Sequence, residues 1–262
     1  MAWSDIQGQH LAKRIWQAHL ATGEIPNAYL LVGPGGIGKR LLSREMAKAL
    51  NCVGASGVSA TPEIRSADRP CQVCSSCAQI TKQIHPDVHW INPDGASDLI
   101  GIDVVRRVLS RIALRPFSGR YQVVIIDGAE RLTEEAVNSL LKSLEEPPAQ
   151  TRFLLMTARL SRCLPTVVSR CQVIRCQRLG PGAVAMILTS ATACDAATAA
   201  VIAHLADGSA ARALELAGRW PAYERLVDQL GSEEWVSWFE APLPETRDEV
   251  QRLLDGMTAW LR

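Results

Sequence analysis

Residues 28–39 read Ala-Tyr-Leu-Leu-Val-Gly-Pro-Gly-Gly-Ile-Gly-Lys, and this stretch decides the fold. Its first five residues form an apolar run that is typical of a strand buried in a parallel sheet. The remainder matches G-x-x-x-x-G-K, a pattern in which backbone N–H groups turn toward phosphate oxygens at a helix N-terminus. A helical pattern follows over residues 39–50. This order predicts a phosphate-binding loop whose contacting residues are Gly33, Gly35, Gly36, Gly38 and Lys39.

Strands and helices alternate on either side of this loop. Residues 122–126 and 153–157 are apolar runs like the first one, and helical patterns lie between them. This alternation predicts βαβ crossovers and therefore an α/β fold with a doubly wound, mostly parallel sheet. We expect the domain to cover residues 1–178.

Three helices can be predicted in more detail. The first begins at Leu11 and places Leu11 and Ile15 along one side. The second is expected to be capped by Asp103 and the third by Thr133, since both side chains accept hydrogen bonds from backbone N–H groups. The third helix has to end before Pro147, because a residue that precedes proline is pushed out of the α region.

The overall composition is that of a globular protein. Of 262 residues, 47% are hydrophobic and 21% charged, and the net charge is +1. This excludes wholesale disorder and gives no overall basicity for nucleic acid or membrane binding. Residues 101–178 hold thirteen Lys and Arg against seven Asp and Glu, which fits an electropositive surface and a solvated arginine-rich face equally well. Without a secretion signal or a spanning segment, we expect an intracellular protein with no membrane contact.

The cysteines indicate a metal site. Cys71, Cys74 and Cys77 have C-x2-C-x2-C spacing, and Cys52 precedes them in the chain. Four thiolates make a closed tetrahedral zinc site, which is structural because no coordination position stays open. An iron–sulfur cluster is an alternative, as are free thiols, but the fourth Cys followed by Pro of ferredoxin-type motifs is missing. The other four cysteines are expected to be small buried hydrophobic residues.

The residues that would carry hydrolysis are altered. The position after Lys39 normally supplies the hydroxyl that binds Mg²⁺, and here it is Arg40. The strand that ends at Asp127 resembles a Walker B strand, yet the next residue is Gly128 instead of a glutamate. Glu130 is displaced by two residues and is expected to point elsewhere. Backbone contacts to a nucleotide are compatible with these changes, which leaves ATP binding doubtful, whereas metal-assisted hydrolysis is not expected.

Taken in order, the motifs resemble the AAA+ clamp-loader family of bacterial DNA polymerase III. The matching segments are residues 3–9, the phosphate-binding loop, the cysteine motif, residues 85–87, residues 140–148 and Ser169-Arg170-Cys171. Motor subunits of this family have a hydroxyl residue at the end of the loop, Asp-Glu after the Walker B strand and an arginine in a Gly-Ser-x-Arg turn. The third feature is also altered here, since Ala211 stands where that arginine belongs. The chain therefore resembles the delta-prime type more than the active gamma/tau type, which is the alternative.

The resemblance implies a domain plan and partners. It implies an AAA+ domain over residues 1–178 with a zinc module at about 52–77, and a linker at 179–182 that opens a small helical lid domain over 179–218. Residues 219–262 would begin a helical collar, short for this family. The partners would be the gamma/tau and delta subunits, with the sliding clamp and primer-template DNA reached through the complex, in the bacterial cytoplasm. Arg170, flanked by Ser169 and Cys171, would act in trans as an arginine finger.

Two further functions are compatible with parts of the sequence. A free-standing nucleotide kinase would use the phosphate-binding loop, but it needs a metal-binding hydroxyl and an acceptor site that the sequence does not show. A zinc-dependent nucleic-acid-binding module is supported by the arginine-rich middle of the chain alone, and it leaves the altered nucleotide motifs unexplained.

Overall fold

The computed structural model describes residues 6–54, 70–93, 98–148 and 150–230, with side chains as far as residue 221. The chain divides into two compact units, residues 1–216 and 217–262. The domain boundary predicted at residue 179 falls inside the first unit and stays a prediction. The collar segment lies largely outside the described residues, as does most of the loop between Cys52 and Cys71.

One sheet of five parallel strands forms the centre of the first unit. In chain order the strands are β1 (Ala28–Val32), β2 (Val88–Ile91), β3 (Gln122–Asp127), β4 (Thr151–Thr157) and β5 (Gln172–Arg175). Across the sheet the order is β2-β3-β4-β1-β5. Because all strands run the same way, the segments that follow β1, β3 and β4 emerge at one edge of the sheet.

The described helices alternate with these strands. They are α1 (His10–Thr22), α2 (Lys39–Asn51), α3 (Ser75–Thr81), α4 (Ile102–Ile112), α5 (Glu134–Glu145), α6 (Pro165–Val168), α7 (Pro181–Ala191), α8 (Ala196–Leu205) and α9 (Ala210–Leu230). Short 3-10 turns span Ala129–Arg131 and Leu160–Arg162. Within the described part of the chain, no helix is both long enough and apolar enough to cross a membrane.

Helices cover both faces of the sheet. On one face, Trp16 of α1 and Met46 of α2 pack into a core with Tyr29 of β1. On the other face, Leu30 of β1 joins a core to which α4 and α5 contribute. Successive side chains of a strand point to opposite faces, so a strand between two helical layers has to be apolar throughout. β1 is buried at all five positions, and the predicted α/β fold with a parallel, doubly wound sheet is confirmed.

Two predicted helix details differ from the structure. The buried side of α1 centres on Trp16, and Ile15 packs against the same core as predicted, whereas Leu11 is 46% exposed. The Trp16 ring meets the Tyr29 ring edge-on, with centroids 5.3 Å apart, and burying so large a ring outweighs the spacing of smaller apolar residues. The N-cap of α4 is Gly101, and Asp103 lies in the first turn, where its charge still complements the helix dipole.

The other predicted limits agree more closely with the structure. Thr133 caps α5 by accepting a backbone hydrogen bond, and α5 ends at Glu145. The predicted linker is shorter than expected, because Leu179 is buried and Pro181 already forms the first turn of α7. Proline is well suited to that position, since the N–H group it lacks has no partner within a helix. Residues 206–209 separate α8 from α9.

A buried carboxylate at the start of β2 holds the loop that enters β3. Asp87 accepts hydrogen bonds from the backbone N–H groups of Phe117, Ser118 and Gly119 at 2.6–2.7 Å. Asn51 Oδ1 accepts from the next two N–H groups at 2.9 Å. Burial raises the pKa of Asp87, but the three backbone hydrogen bonds outweigh it and leave the pKa below its usual value. The ionised carboxylate therefore fixes the path of the chain into the sheet.

We predict that Asp87→Asn lowers the free energy of unfolding by about 2–3 kcal/mol, because an amide oxygen accepts weaker hydrogen bonds than a carboxylate. A folded-state pKa below the unfolded value of 3.8 gives stability that is present above that value and lost as the pH falls through the folded pKa. Urea denaturation below about pH 4 should therefore show a steeper loss for the wild type than for the variant. Glu146→Gln, at an exposed carboxylate, is the control. Equal pH dependence in all three proteins would contradict this role of Asp87.

Candidate functional site

The phosphate loop, residues 33–39, joins β1 to α2 at the carboxyl edge of the sheet. Gly36 and Gly38 have φ values of 75° and 99°, in the left-handed region that favours glycine. A Cβ on Gly33 would lie 2.5 Å from the carbonyl oxygen of Cys176, so this glycine is needed for close packing. A Cβ on Gly35 or Gly38 would meet nothing within 4 Å. The backbone at these two positions is therefore open to a ligand.

Lys39 is folded back over the loop. Its Nζ donates hydrogen bonds to the carbonyl oxygens of Gly33 and Pro34, at 2.6 and 2.7 Å. Burial lowers the pKa of Lys39, and the negative charges of Asp127 and Glu130 partly oppose this shift. These two carboxylates are consequently close enough to influence the loop lysine.

A cavity of about 480 Å³ lies against the phosphate loop. Four of the five predicted loop residues line it together with Asp127, the predicted Walker B aspartate, and Gly33 packs behind it. The lining also includes residues that follow β3, residues at the end of β4, and one residue of α9. The full lining is Gly35, Gly36, Gly38, Lys39, Arg40, Pro93, Asp127, Gly128, Glu130, Arg131, Met156, Thr157, Ala158 and Ala211.

Arg40 occupies the acidic side of this phosphate-loop cavity. Its Nη1 lies 3.4 Å from Asp127 Oδ2, and its guanidinium carbon lies 5.0 Å from the centre of the Trp90 ring. In loops of this type a hydroxyl at the position of Arg40 binds Mg²⁺ together with the Walker B aspartate. A guanidinium has donors only, so it cannot bind a cation, and here it pairs with that aspartate. The residues present do not fit a magnesium site.

The segment that follows Asp127 differs from its predicted course. Gly128 has φ 92°, and the 3-10 turn that it caps brings Glu130 into the cavity wall, where Oε1 accepts a hydrogen bond from the backbone N–H of Ala158 at 3.0 Å. The expectation that Glu130 points elsewhere is wrong. The positive φ of Gly128 redirects the chain, a turn that the sequence pattern did not reveal.

The turn between α8 and α9 reaches the phosphate loop. Ala211 N donates a hydrogen bond to Gly36 O at 3.2 Å, and a Cβ on Gly36 would lie 2.8 Å from the Ala211 side chain. Ala211 lines the cavity at the place where the resemblance implies an arginine in motor subunits. Arg212 is exposed and is not part of the lining. The alanine therefore leaves this wall of the cavity uncharged.

The cysteine cluster, Cys52, Cys71, Cys74 and Cys77, is assembled between α2 and α3. Its four sulfur atoms lie within 4.8 Å of one another, close enough to hold a metal ion. The backbone N–H groups of Cys71, Cys74 and Cys77 donate hydrogen bonds to sulfur atoms of the cluster. The accepting sulfurs are those of Cys52, Cys71 and Cys74, in that order, each at 3.4 Å. A hydrogen bond from Cys77 and backbone N–H groups lower the pKa of Cys52 to about 4, and the same thiol contact raises the pKa of Cys77. The predicted ligand set is brought together in space.

A buried ion pair connects the cysteine cluster to α2. Lys48 Nζ lies 2.7 Å from Glu45 Oε1, and both side chains are almost completely buried. Gln72, between two of the cysteines, accepts from Lys48 at 2.8 Å and donates to Glu45 at 2.6 Å. Buried charges require this kind of full pairing. Sequence reasoning missed this triad, because Glu45 and Lys48 read as surface residues of an amphipathic helix.

Arg170 follows α6 and lies against α5. Its Nε donates to Glu145 Oε1 at 2.7 Å, its Nη2 pairs with the same oxygen, and its Nη1 donates to the Thr166 carbonyl oxygen at 2.9 Å and to Ser169 Oγ at 3.3 Å. The side chain is 30% exposed and is not part of the phosphate-loop cavity. Burial raises the pKa of the neighbouring Cys171 to about 12, so this residue packs as a neutral thiol.

None of the other four cysteines is joined in a disulfide. Cys163 and Cys176 are buried, and burial raises the pKa of Cys176 to about 11. Cys171 and Cys194 are half-buried, so the expectation of burial is wrong for these two.

The arginine-rich middle of the chain has exposed arginines on and after α4. They are Arg106, Arg107, Arg111 and Arg115. A functional basic surface there stays a prediction.

The fold has known counterparts. The RuvB Holliday junction branch migration motor of Thermotoga maritima superposes with a TM-score of 0.56 at 18% identity, over 87% of this chain and 66% of that chain. At this identity the likeness shows the fold alone.

Curated relatives are considerably more similar in sequence. DNA polymerase III subunit gamma of Buchnera aphidicola subsp. Acyrthosiphon pisum is 37% identical over 174 residues, which are 66% of this chain and 44% of the relative. DNA polymerase III subunit delta' of Pseudomonas aeruginosa is 35% identical over 185 residues, which are 71% of this chain and 50% of the relative. The alignments thus span half or less of the length of these relatives.

The profile of the family described as "DNA polymerase III, delta subunit" matches residues 8–180. This segment holds the whole parallel sheet, the phosphate loop, the cysteine cluster and Arg170. The match covers more than half of the chain, and the chain therefore belongs to this DNA polymerase III family of AAA+ clamp-loader proteins.

Proposed function

We propose that the chain is a clamp-loader subunit of the delta-prime type, which hydrolyses no ATP itself and completes the nucleotide site of a neighbouring subunit. Its relatives include delta', gamma and tau subunits at 32–37% identity, so similarity does not choose between them. The observation that carries the choice is the ion pair between Arg40 and Asp127. It places a cation where a hydrolysing subunit needs Mg²⁺ and engages the aspartate that would bind the metal.

Two further positions support loss of hydrolysis. Gly128 stands where an active subunit of the resembled family has a glutamate that orients the attacking water. Ala211 stands at the cavity wall where such a subunit has an arginine. Charge on the transferring phosphoryl group is stabilised chiefly by metal ions and by positioned arginines. A site whose residues do not fit Mg²⁺, and which has alanine in place of that arginine, lacks two of these groups.

The arginine-finger role of Arg170 rests on its position. Arg170 lies outside the chain's own cavity and is held at the surface by a carboxylate and a backbone carbonyl. An exposed ion pair such as that with Glu145 contributes only about 0–1 kcal/mol, so exchanging this carboxylate for a phosphoryl oxygen costs little. A finger supplied in trans raises turnover by about 10³–10⁵ in phosphoryl-transfer enzymes.

Through this contact, the expected partners are the gamma/tau and delta subunits. The sliding clamp and primer-template DNA would be reached through the assembled loader. In this role the chain acts as a rigid stator, and the two helical layers on its sheet provide the rigidity.

For the cysteine cluster we propose a structural zinc ion. Zn–S bonds of about 2.3 Å place tetrahedral ligands about 3.8 Å apart, and the four sulfur atoms lie no more than 4.8 Å from one another. A [4Fe–4S] cluster, in which each thiolate binds a different iron, needs a wider spacing. The ion would fix the segment after α2, and the triad of Glu45, Lys48 and Gln72 would connect that segment to the helix.

An active gamma-type ATPase is the competing function, and Glu130 favours it. This carboxylate lies in the cavity wall and is a candidate to orient a water molecule. The isolated chain is expected to hydrolyse no ATP in the presence of Mg²⁺, because Arg40 stands at the loop position whose hydroxyl would hold the metal and pairs with Asp127. Steady-state phosphate release measures this, and Glu130→Gln is the control for contaminating activity. Turnover that Glu130→Gln abolishes would establish the competing function.

Arg170→Ala should leave assembly of the loader intact and reduce its ATPase activity. At the adjoining nucleotide site we expect ATP turnover to fall about 10³-fold. Because the other sites still hydrolyse ATP, the total turnover of the loader should fall by the fraction that this one site contributes. The assay uses the loader reconstituted with gamma/tau and delta subunits, clamp and primed DNA. Arg107→Ala, at an exposed arginine of α4, is the matched control. Unchanged turnover in a fully assembled Arg170→Ala loader would exclude the finger.

Purified protein is expected to contain one zinc ion per chain, and Cys74→Ser should lose it. Elemental analysis measures the metal content, and cobalt substitution should give a thiolate charge-transfer band in the wild type. Because structural zinc contributes directly to folding, the variant should also unfold at lower urea concentration. Cys194→Ser, at a half-buried cysteine outside the cluster, should keep its zinc. Iron with inorganic sulfide, or wild-type protein free of metal, would overturn the assignment.

A further inference from the structure

We infer that the phosphate-loop cavity binds a nucleoside polyphosphate without magnesium, with the Arg40 guanidinium in the place of the metal ion. This inference rests on the proposed assignment of the loop as a nucleotide site, and it adds that the bound species is the metal-free nucleotide. It concerns the isolated chain, whereas the stator role concerns a neighbour's active site.

The charges of the cavity favour an anion over a metal complex. Three cationic side chains, Lys39, Arg40 and Arg131, face two carboxylates, Asp127 and Glu130. Asp127 is engaged by Arg40, and Glu130 Oε1 accepts the backbone N–H of Ala158, whereas Glu130 Oε2 is buried without a hydrogen-bond partner in the described part of the chain. The cationic side chains still outnumber the carboxylates by one, and this excess of positive charge attracts the more highly charged free nucleotide.

The arginines are free to exchange their partners for phosphate. Arg40 and Asp127 are 49% and 35% exposed, and the ion pair of Arg131 with Asp98 is similarly exposed. Exposed ion pairs contribute little, whereas charge-assisted, bidentate contacts of arginine with phosphate are among the stronger polar interactions. The Trp90 ring lies beside Arg40 and restricts where its guanidinium can go.

The backbone completes the site. Around Gly35 and Gly38 there is open space, and Gly38 is the N-cap of α2, so the first N–H groups of this helix face the cavity edge. Lys39 Nζ is bound only by two loop carbonyl oxygens among the hydrogen bonds described for it, contacts that a phosphate oxygen can replace. Mg²⁺ requires about six oxygen ligands in octahedral geometry, and Arg40 adds repulsion instead of a ligand.

The test is isothermal titration of the full chain with ATP, once with excess EDTA and once with millimolar Mg²⁺. The wild type should bind in EDTA at least as tightly as in Mg²⁺, because the metal cancels charge that Arg40 would otherwise contact. Arg40→Ser removes the cation, restores a hydroxyl and frees Asp127. It should weaken binding in EDTA by about tenfold, the loss of one charge-assisted contact, and should make binding tighter with Mg²⁺ than without it. Arg106→Ser, at an exposed arginine of α4, should behave as the wild type.

Three results would overturn the inference. They are wild-type binding that requires Mg²⁺, no wild-type binding under either condition, and an Arg40→Ser variant with the metal dependence of the wild type. These outcomes are independent of the arginine finger. A loader whose ATPase depends on Arg170 combined with an isolated chain that binds no ATP would sink this inference and leave the proposed function standing.

Discussion

All five strands of the sheet run in the same direction, and the location of the chemistry depends on this constraint. Parallel strands release their carboxyl ends at one edge, so the phosphate loop after β1, Asp127 at the end of β3 and Thr157 at the end of β4 meet there. β4 lies between β1 and β3, which separates the loop from Asp127 by the width of one strand. Closing that gap takes a long side chain from the start of α2, and Arg40 has the length to do so.

The part of the fold that the sequence predicts well is the part that is buried on both faces. β1, β3 and β4 lie between helical layers, so each reads as a continuous apolar run. β2 and β5 form the two edges of the sheet and are short, and β5 alternates with exposed residues such as Gln172. Four residues of mixed polarity carry too little periodicity to separate a strand from a loop. The placement of Leu11 on the buried side of α1 was wrong for another reason, since one ring contact between Trp16 and Tyr29 decides which side of this helix is buried.

Within the candidate site, motifs of closely spaced residues could be predicted from the sequence, whereas contacts between residues far apart in the chain could not. Glycines and cysteines at fixed intervals predict a loop and a cluster, because neighbouring residues must converge on one ligand. The contact between Arg40 and Asp127 joins residues 87 positions apart, and that between Glu45 and Gln72 joins residues 27 apart. The sequence shows that such side chains could pair, but it does not show that they lie close together. The order of the strands brings Arg40 near Asp127, and the turn at Gln72, where φ is 66°, brings that side chain to Glu45.

Arg40 and Gly128 both line the phosphate-loop cavity, but a substitution that restores the usual residue would be tolerated differently at the two positions. Arg40 is a side-chain change, since a serine there would restore a hydroxyl and free Asp127. Gly128 is fixed by the backbone, because its φ of 92° disfavours any residue with a Cβ, and a Cβ there would lie 2.9 Å from Arg131 Cδ. Strain of this kind costs about 1–3 kcal/mol, and avoiding it would require the turn at Ala129–Arg131 to be rebuilt. Glu130 and Arg131 are placed by that turn, so a glutamate at position 128 would displace the side chains that now line the cavity. On the proposed function, the loss of hydrolysis therefore follows from the path of the chain after β3, and the inferred metal-free binding is the capacity that this path leaves to the phosphate loop.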